Sequence, residues 1–195
     1  MEWKCSLNKD LEKVQKTIIA ACLSTLLASP ALANTENESQ QSNGKFSAGV
    51  GSYALVVEAD GYSEDQFAGF SVFGDYAFND HFSLRGQYYS VEHDDFSELE
   101  ASGLEANAYF GTGLASNGFK AFIGGGFYSE EMEADGFDEN FSGAQISGGI
   151  GYNWQKVSLD FTLAIRTAGD YADMLDEDED DVVAASGSLN IAYRF

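Results

Sequence analysis

The last seven residues of the chain alternate between apolar and polar or small side chains. The segment 189–195 reads LNIAYRF and ends on an aromatic residue, Phe195. Successive side chains of a β-strand point to opposite faces, so a period of two predicts a strand with one apolar and one polar face. Such a strand requires a sheet that presents one whole face to an apolar environment.

Seven further stretches have strand character, and no segment shows sustained helical periodicity. The clearest is the segment 157–167, where five apolar residues occupy alternate positions and polar or small residues fill the gaps. The eight predicted strands are Phe46–Val57, Phe67–Phe78, Phe82–Val91, Leu99–Gly111, Phe119–Glu131, Asn140–Trp154, Val157–Thr167 and Val182–Phe195.

The connections between these strands alternate between short and long. Three short ones contain turn-forming residues suited to hairpins, namely Asn79–His81, Leu114–Gly118 and Gln155–Lys156. Four long ones are Glu58–Gln66, Glu92–Glu98, Glu130–Glu139 and Ala168–Asp181. Short turns on one side and long loops on the other are typical of outer-membrane barrels, whose short turns face the periplasm.

Periodicity alone does not decide which face is inside, because a soluble eight-stranded barrel has the same alternation with its apolar face inward. Aromatic residues gather at the short-turn side, as in a membrane-interface girdle: Phe78, Phe82, Phe110, Phe119, Trp154 and Phe195. The opposite face is rich in glycine, serine and charge, which would line an apolar ligand pocket poorly. The sequence therefore favours an all-β fold, an eight-stranded antiparallel up-and-down transmembrane β-barrel.

The first 33 residues have the pattern of a secretory signal peptide. Lysines precede an apolar run at 17–27, which is too short for a membrane-spanning helix, and an Ala-x-Ala site ends at Ala33. A lipoprotein cleavage box before Cys22 is an alternative, although the apolar core before that cysteine would be short. We expect residues 1–33 to be the signal peptide, 34–44 a flexible polar tail, and 45–195 the barrel.

Both cysteines, Cys5 and Cys22, fall in the predicted leader, so disulfides are not expected to hold the exported domain together. The chain has 32 acidic and 10 basic residues. Binding to nucleic acid requires clustered Lys and Arg, so nucleic acid is excluded as a partner. No motif implies a cofactor.

In strand number, turn asymmetry and the terminal Tyr193-Arg194-Phe195, residues 46–195 resemble the small outer-membrane barrels of the OmpX, Ail and OmpA transmembrane-domain family. The resemblance implies a monomer in the bacterial outer membrane that contacts lipid and lipopolysaccharide. It also implies that Tyr193 and Phe195 form the signal read by the barrel assembly machinery.

Charged residues within the predicted strands fall on the polar face by alternation. They are Asp75, Arg85, Glu105, Lys120, Asp160 and Arg166. Acids and bases on neighbouring strands could pair, for example Asp75 with Arg85. An ion path is one interpretation. A structural role is favoured, because an eight-stranded barrel is just wide enough for its own side chains to fill.

The four long loops, together with the adjacent Glu100, hold 23 acidic residues and no Lys or Arg. They could bind Ca²⁺ or Mg²⁺, meet a cationic surface ligand, or remain a solvated anionic surface. The candidate metal ligands are Asp176, Asp178, Asp180 and Asp181. This run lacks the spaced ligands and central glycine of an EF-hand, so we predict no specific metal site.

Enzymatic activity has little support in the sequence. His81-Phe82-Ser83 superficially resembles part of a lipid A deacylase site, but it lies at a short turn, away from the outer leaflet where such a site acts. His93 lies on a predicted external loop without a nucleophile beside it. We expect a non-enzymatic barrel for envelope structure or surface interaction and adhesion. The alternatives are a narrow porin-like channel and a lipid A-modifying enzyme.

Overall fold

The structure is a computed structural model that describes residues 45–59, 65–94, 99–134, 137–167, 169 and 182–195. The predicted signal peptide and polar tail lie outside the described residues. The strands are β1 (Phe46–Ala59), β2 (Asp65–Ala77), β3 (Phe82–His93), β4 (Glu100–Thr112), β5 (Gly118–Ala134), β6 (Phe137–Asn153), β7 (Val157–Arg166) and β8 (Val182–Arg194). No helix among the described residues is long and apolar enough to cross a membrane.

The strands form one closed barrel in sequence order, and every neighbouring pair is antiparallel. Closure joins β1 to β8, in a register that runs from the Ser47–Arg194 pair to the Ala59–Val182 pair. Closing the sheet gives each strand two neighbours, so backbone N–H and C=O groups are not left facing lipid. The predicted fold class is confirmed.

The outer face of the barrel carries a band of exposed apolar side chains. Phe127 is 72% exposed, Ile146 68% and Ile165 66%, values that core residues of a water-soluble protein do not have. In β3 the band runs from Phe82 to Tyr88, and the outward position Glu92 lies beyond it. About 9–11 residues of a tilted strand suffice to cross a bilayer, and β3 has 12, so the strand is long enough to span one.

Aromatic rings contact one another around the end of the barrel that carries the short connections, here called the short-turn end. The ring of Phe82 lies 5.2 Å from that of Phe78 and 4.9 Å from that of Phe110. The rings of Phe46 and Phe195 lie 5.6 Å apart across the closing seam. These rings form the girdle that the sequence predicts. The opposite end is called the loop end.

The prediction of a long third loop over 130–139 is wrong. β5 and β6 each extend to 17 residues and pair as far as Ala134 and Phe137, which leaves a two-residue connection. The density of acids in this segment suggested a loop. On a strand, however, acids at outward positions remain in water, and Glu130 turns inward to a buried partner described below. The β5–β6 hairpin therefore extends the sheet at the loop end.

The closing seam generates the first prediction. The backbone N–H of Phe195 donates a hydrogen bond of 2.9 Å to the carbonyl oxygen of Phe46, and the two rings are in contact. Deletion of Phe195 removes both interactions from the seam. We expect it to lower the yield of folded, heat-modifiable barrel on gels much more than deletion of residues 34–44 does. Equal yields from the two deletions would contradict this role of the seam.

Candidate functional site in the barrel interior

The structure places all six of the sequence-predicted interior charges on inward-facing positions of the strands. Five of them are buried as whole residues, namely Arg85, Glu105, Lys120, Asp160 and Arg166. The side chain of the sixth, Asp75, is 14% exposed. They separate into two clusters, one nearer the short-turn end and one nearer the loop end. Each is named here after its arginine.

The Arg85 cluster joins four charged side chains from β2, β3, β5 and β7. Asp160 is at its centre, 3.0 Å from Nη1 of Arg85 and 2.7 Å from Nζ of Lys120. Arg85 also lies 3.1 Å from Asp75, the pair anticipated from the sequence. Asn190 donates a further hydrogen bond of 3.0 Å to Asp160. Two cations and two carboxylates thus neutralise one another in a place that water barely reaches.

Aromatic rings support Arg85 within this cluster. Its guanidinium carbon lies 4.6 Å from the centre of the Phe73 ring and 5.5 Å from that of Tyr109. A desolvated cation over an aromatic face gains roughly 2 kcal/mol or more. The planar guanidinium meets both oxygens of Asp160, with hydrogen bonds of 3.0 and 3.1 Å. This bidentate geometry holds the arginine in one orientation.

The Arg166 cluster lies closer to the loop end. Arg166 is 2.8 Å from Glu105 and 3.0 Å from Glu130. The hydroxyl of Tyr53 donates to Glu105, and that of Tyr89 donates to Glu130. The two tyrosine rings stack with their centres 4.3 Å apart. One guanidinium thus connects two carboxylates contributed by neighbouring strands.

Sequence reasoning missed Glu130, which it assigned to an external loop. The side chain of Glu130 is fully buried against Arg166. A signal was available, because Glu130 lies an even number of residues after the inward-facing Lys120. Period-two alternation therefore gives it the same inward direction. The predicted fifth strand also reached Glu131, so the error came from counting Glu130 with the acidic loop that overlapped the end of that strand.

The inner face near the loop end is apolar, which corrects the expectation that the face is polar throughout. Buried apolar side chains fill this part of the barrel, and we call them the apolar plug: Leu55, Val57, Phe67, Val91, Ala101, Met132, Phe141, Val182 and Ala184. Leu55 and Ala184 have no exposed surface. The inward positions turn apolar where the strands rise beyond the two charged clusters, and the plug seals the barrel there.

The short-turn end is closed by the β4–β5 turn, residues 113–117, where Gly113 adopts a φ of 73° that favours glycine. Arg194 donates hydrogen bonds to the side-chain oxygen of Asn117, at 2.8 Å, and to the carbonyl of Ala115. Asn153 donates to the carbonyl of Gly113 at 2.8 Å. These bonds fix the turn across the opening of the barrel.

Asp80, in the neighbouring β2–β3 turn, binds the same turn from outside. Its carboxylate accepts hydrogen bonds from the backbone N–H groups of Ser116, at 2.9 Å, and of Gly113 and Ala115, both at 3.3 Å. Partial burial tends to raise the pKa of this carboxyl. The bonds from Ser116, Gly113 and Ala115 outweigh that effect and hold the pKa below its ordinary value. The two turns are thereby joined.

Little empty space remains between these layers. A cavity of about 20 Å³ beside Arg85 and Lys120, and one of about 10 Å³ between the two clusters, are each of the order of a single water molecule. The second is bordered by the buried side chains of Gln87 and Gln145. A continuous aqueous path would need much more room than these cavities provide.

The histidines do not form a catalytic arrangement. His93 is the last residue of β3 and is buried, so the prediction that it lies on an external loop is wrong. Its ring packs edge-on against Phe67, with Nε2 3.4 Å from Asp65. His81 lies in the β2–β3 turn, with Nδ1 2.9 Å from the carbonyl oxygen of Gly111. Neither contact supplies a nucleophile.

Across the described ranges, no group of three or more His, Cys, Asp or Glu side chains could hold a metal ion. The predicted candidates Asp176, Asp178, Asp180 and Asp181 lie outside the described residues. Tyr193 and Phe195, the predicted assembly signal, lie on the outer face at the short-turn end, with ring centres 5.0 Å apart. Their recognition by the assembly machinery stays a prediction.

The model of the family described as outer membrane protein beta-barrel domain matches residues 19–195. Neisserial surface protein A has a similar solved structure, with 13% identity, a TM-score of 0.59, and coverage of 81% of this chain and 100% of that one. Ail, the attachment invasion locus protein of Yersinia pestis, matches at 18% identity and a TM-score of 0.47, covering 78% of this chain and 99% of that one.

OprG from Pseudomonas aeruginosa matches at 12% identity and a TM-score of 0.48, over 78% of this chain and 97% of that one. At these identities the likeness concerns the fold alone. No match was found among curated protein sequences.

Arg166 should contribute strongly to stability, because it neutralises two carboxylates inside the barrel. Removing one partner of a buried ion pair typically costs about 3–5 kcal/mol, since the other charge stays in a dry site. We expect Arg166→Met to lower the free energy of unfolding by this amount in urea titrations in phospholipid vesicles.

The matched control is Lys45→Met, an exposed lysine whose loss should change stability by less than about 0.5 kcal/mol. Adding Glu105→Gln and Glu130→Gln to Arg166→Met should restore part of the loss. An Arg166→Met variant as stable as the Lys45→Met control would contradict this account.

Proposed function

This chain belongs to the family of outer membrane protein beta-barrel domains, and we propose that in the outer membrane it serves envelope structure or surface interaction, including adhesion. We further propose that it neither conducts solutes nor catalyses a reaction. In barrels of this kind the short turns face the periplasm and the longer loops face the outside. The loop end is then the part that meets the surroundings of the cell.

The observation that carries the proposal is the filling of the interior from end to end. The apolar plug, the Arg166 cluster, the Arg85 cluster and the 113–117 turn succeed one another along the barrel axis. An ion entering this interior would have to break buried ion pairs and then cross apolar side chains, where it cannot be hydrated. A role at the exposed rim requires no such passage.

The rim itself supports a surface role through its charge. Glu92 pairs with Glu100 across β3 and β4, and Glu100 pairs with Glu133 across β4 and β5. All three are exposed. Like charges directly opposite one another on a sheet are destabilising, and screening or a bound cation relieves the repulsion. We propose that the rim meets cationic material, either divalent cations or a positively charged surface or peptide.

The absence of enzymatic activity is part of the proposal. A hydrolase of lipid A would need a nucleophile and a base within hydrogen-bond distance, near the outer leaflet. His93, which lies at that level, packs against Phe67 and faces Asp65. His81 and Ser83 lie at the opposite end of the barrel, so they cannot reach the outer leaflet. Unaltered lipid A on overexpression is the expected outcome.

A conductance measurement tests the closed interior. The purified full chain, checked for folding by heat modifiability, is added to planar lipid bilayers at high salt. We expect no steady, resolvable single-channel steps, because both charged clusters and the apolar plug obstruct the axis. Steady channels of uniform size would contradict the proposal and favour the porin-like alternative.

A binding measurement tests the acidic rim. Cells displaying the wild type are compared with cells displaying a variant in which the eight acids between 170 and 181 are replaced by Asn or Gln at constant loop length. We expect adhesion to a cationic surface such as polylysine to fall several-fold in the variant. Deleting residues 34–44 is the matched control and should leave adhesion unchanged. Equal adhesion of variant and wild type would contradict a role for these acids.

A further inference from the structure

The outer face of the barrel has a groove where β4, β5, β6 and β7 lie side by side. Its volume is about 560 Å³, and it is shallow and open along the surface. Its lining is almost entirely apolar, and its large side chains include Phe110, Ile123, Ile150 and Phe161. A groove on this face opens to the hydrocarbon of the membrane rather than to water.

The groove exists because small residues interrupt the apolar band. Ala121 pairs with Ile150, and Gly148 pairs with Ile123, so small and large side chains alternate across β5 and β6. A Cβ atom built on Gly148 would lie 3.2 Å from the carbonyl oxygen of Phe122, so little room exists beneath the glycine itself. The free space is above the sheet, where an alkyl chain can lie along it.

The groove lies in the half of the band nearer the periplasm, and polar groups continue from it towards the rim. The next outward positions on β6 are Tyr152 and Trp154, whose rings are 4.8 Å apart. Lys156 follows in the β6–β7 turn, five residues from Phe161, or about 17 Å along an extended strand. Interfacial aromatic residues and a lysine thus stand where lipid headgroups begin.

The exposed basic side chains of the described residues, Lys45 and Lys156, both lie at this rim. Asp80 is the acidic residue of the described short turns, and its carboxylate is engaged by backbone N–H groups. No exposed acidic side chain of the described short turns therefore competes with a phosphate for Lys156.

We propose that this groove is a binding site for one anionic glycerophospholipid of the periplasmic leaflet. An acyl chain of the lipid lies over Ala121 and Gly148, its glycerol region contacts Tyr152 and Trp154, and its phosphate pairs with Lys156. Within a membrane the alkyl chain is already in an apolar environment, so its burial adds little affinity. Selectivity comes from the shape of the groove and from the lysine.

The site is distinct from the acidic rim, which lies at the opposite end of the barrel. It does not depend on what the loops bind or on whether the interior conducts. The apolar groove could also accommodate a second copy of this chain. The lysine at its headgroup end favours the lipid, because the outward positions of the described strands at that level carry no acidic side chain for it to meet.

The fluorescence of Trp154 reports lipid binding at the site directly. The chain has two tryptophans, Trp3 and Trp154, so the full chain with Trp3→Phe reports from Trp154 alone. It is reconstituted in phosphatidylcholine vesicles that contain a small fraction of dibrominated phosphatidylglycerol or, separately, the same fraction of dibrominated phosphatidylcholine. Bromine quenches tryptophan fluorescence on contact, so the ratio of the two signals measures selectivity for the anionic lipid.

The expected selectivity is about fivefold, which corresponds to about 1 kcal/mol for one lysine at an anionic headgroup. Lys156→Gln should abolish it, whereas Lys45→Gln removes the same charge elsewhere on the rim and should leave it intact. Ala121→Leu fills the groove and should also abolish the selectivity for the anionic lipid. Gly86→Leu adds the same side chain at another lipid-facing position, where no atom lies within 4 Å of the Cβ. This control variant should keep the selectivity.

Equal quenching by the two brominated lipids in the otherwise unaltered protein would overturn the proposal, as would full selectivity in Lys156→Gln. If neither brominated lipid quenches Trp154 and cross-linking yields dimers, the groove is occupied by a second copy of the chain instead, and the proposal is overturned. Lys156→Gln alters only an exposed turn, so this test does not depend on whether Ala121→Leu folds.

Discussion

The need to pair every backbone polar group inside lipid is the constraint on which the rest of this structure depends. A sheet can meet it in a membrane only by closing on itself, because an open edge would leave a row of unpaired N–H and C=O groups. Here closure joins β1 to β8 over thirteen residue pairs. Once the sheet closes, alternation assigns every second side chain to lipid and the others to a narrow interior. The positions of the charges, the aromatic girdle and the groove follow from this division.

The interior shows how a chain with few basic residues can keep buried carboxylates stable. Three of its cations, Arg85, Lys120 and Arg166, face inward, and each contacts at least one acid at 3.0 Å or less. Replacing such networks by apolar packing is often neutral for stability. Here the clusters fix the strand register, because a shift of one residue in the pairing would turn the charges towards lipid. The clusters thus favour one alignment of the strands.

Much of this architecture could be predicted from the sequence, because a barrel wall obeys a simple period. Strand number, turn positions and the inward direction of Asp160 and Arg166 all follow from alternation. The inward positions of Glu130 and His93 were not predicted, because the acidic segments around them were assigned to loops. Acidity does not separate the two cases, since an acid on a protruding strand is as well hydrated as one on a loop. The apolar plug was missed for a related reason. It joins inward residues from seven strands, such as Leu55 and Phe141, which are far apart in sequence.

The Asp80 contacts couple two adjacent turns at the short-turn end of the barrel, and the eight paired strands hold the wall. The wall and the short-turn end thus carry interactions that specify the barrel. The loops can then change in length and composition without altering how the wall assembles. A chain built in this way can acquire new surface chemistry by drift in its loops, while selection for foldability acts on a separate set of residues.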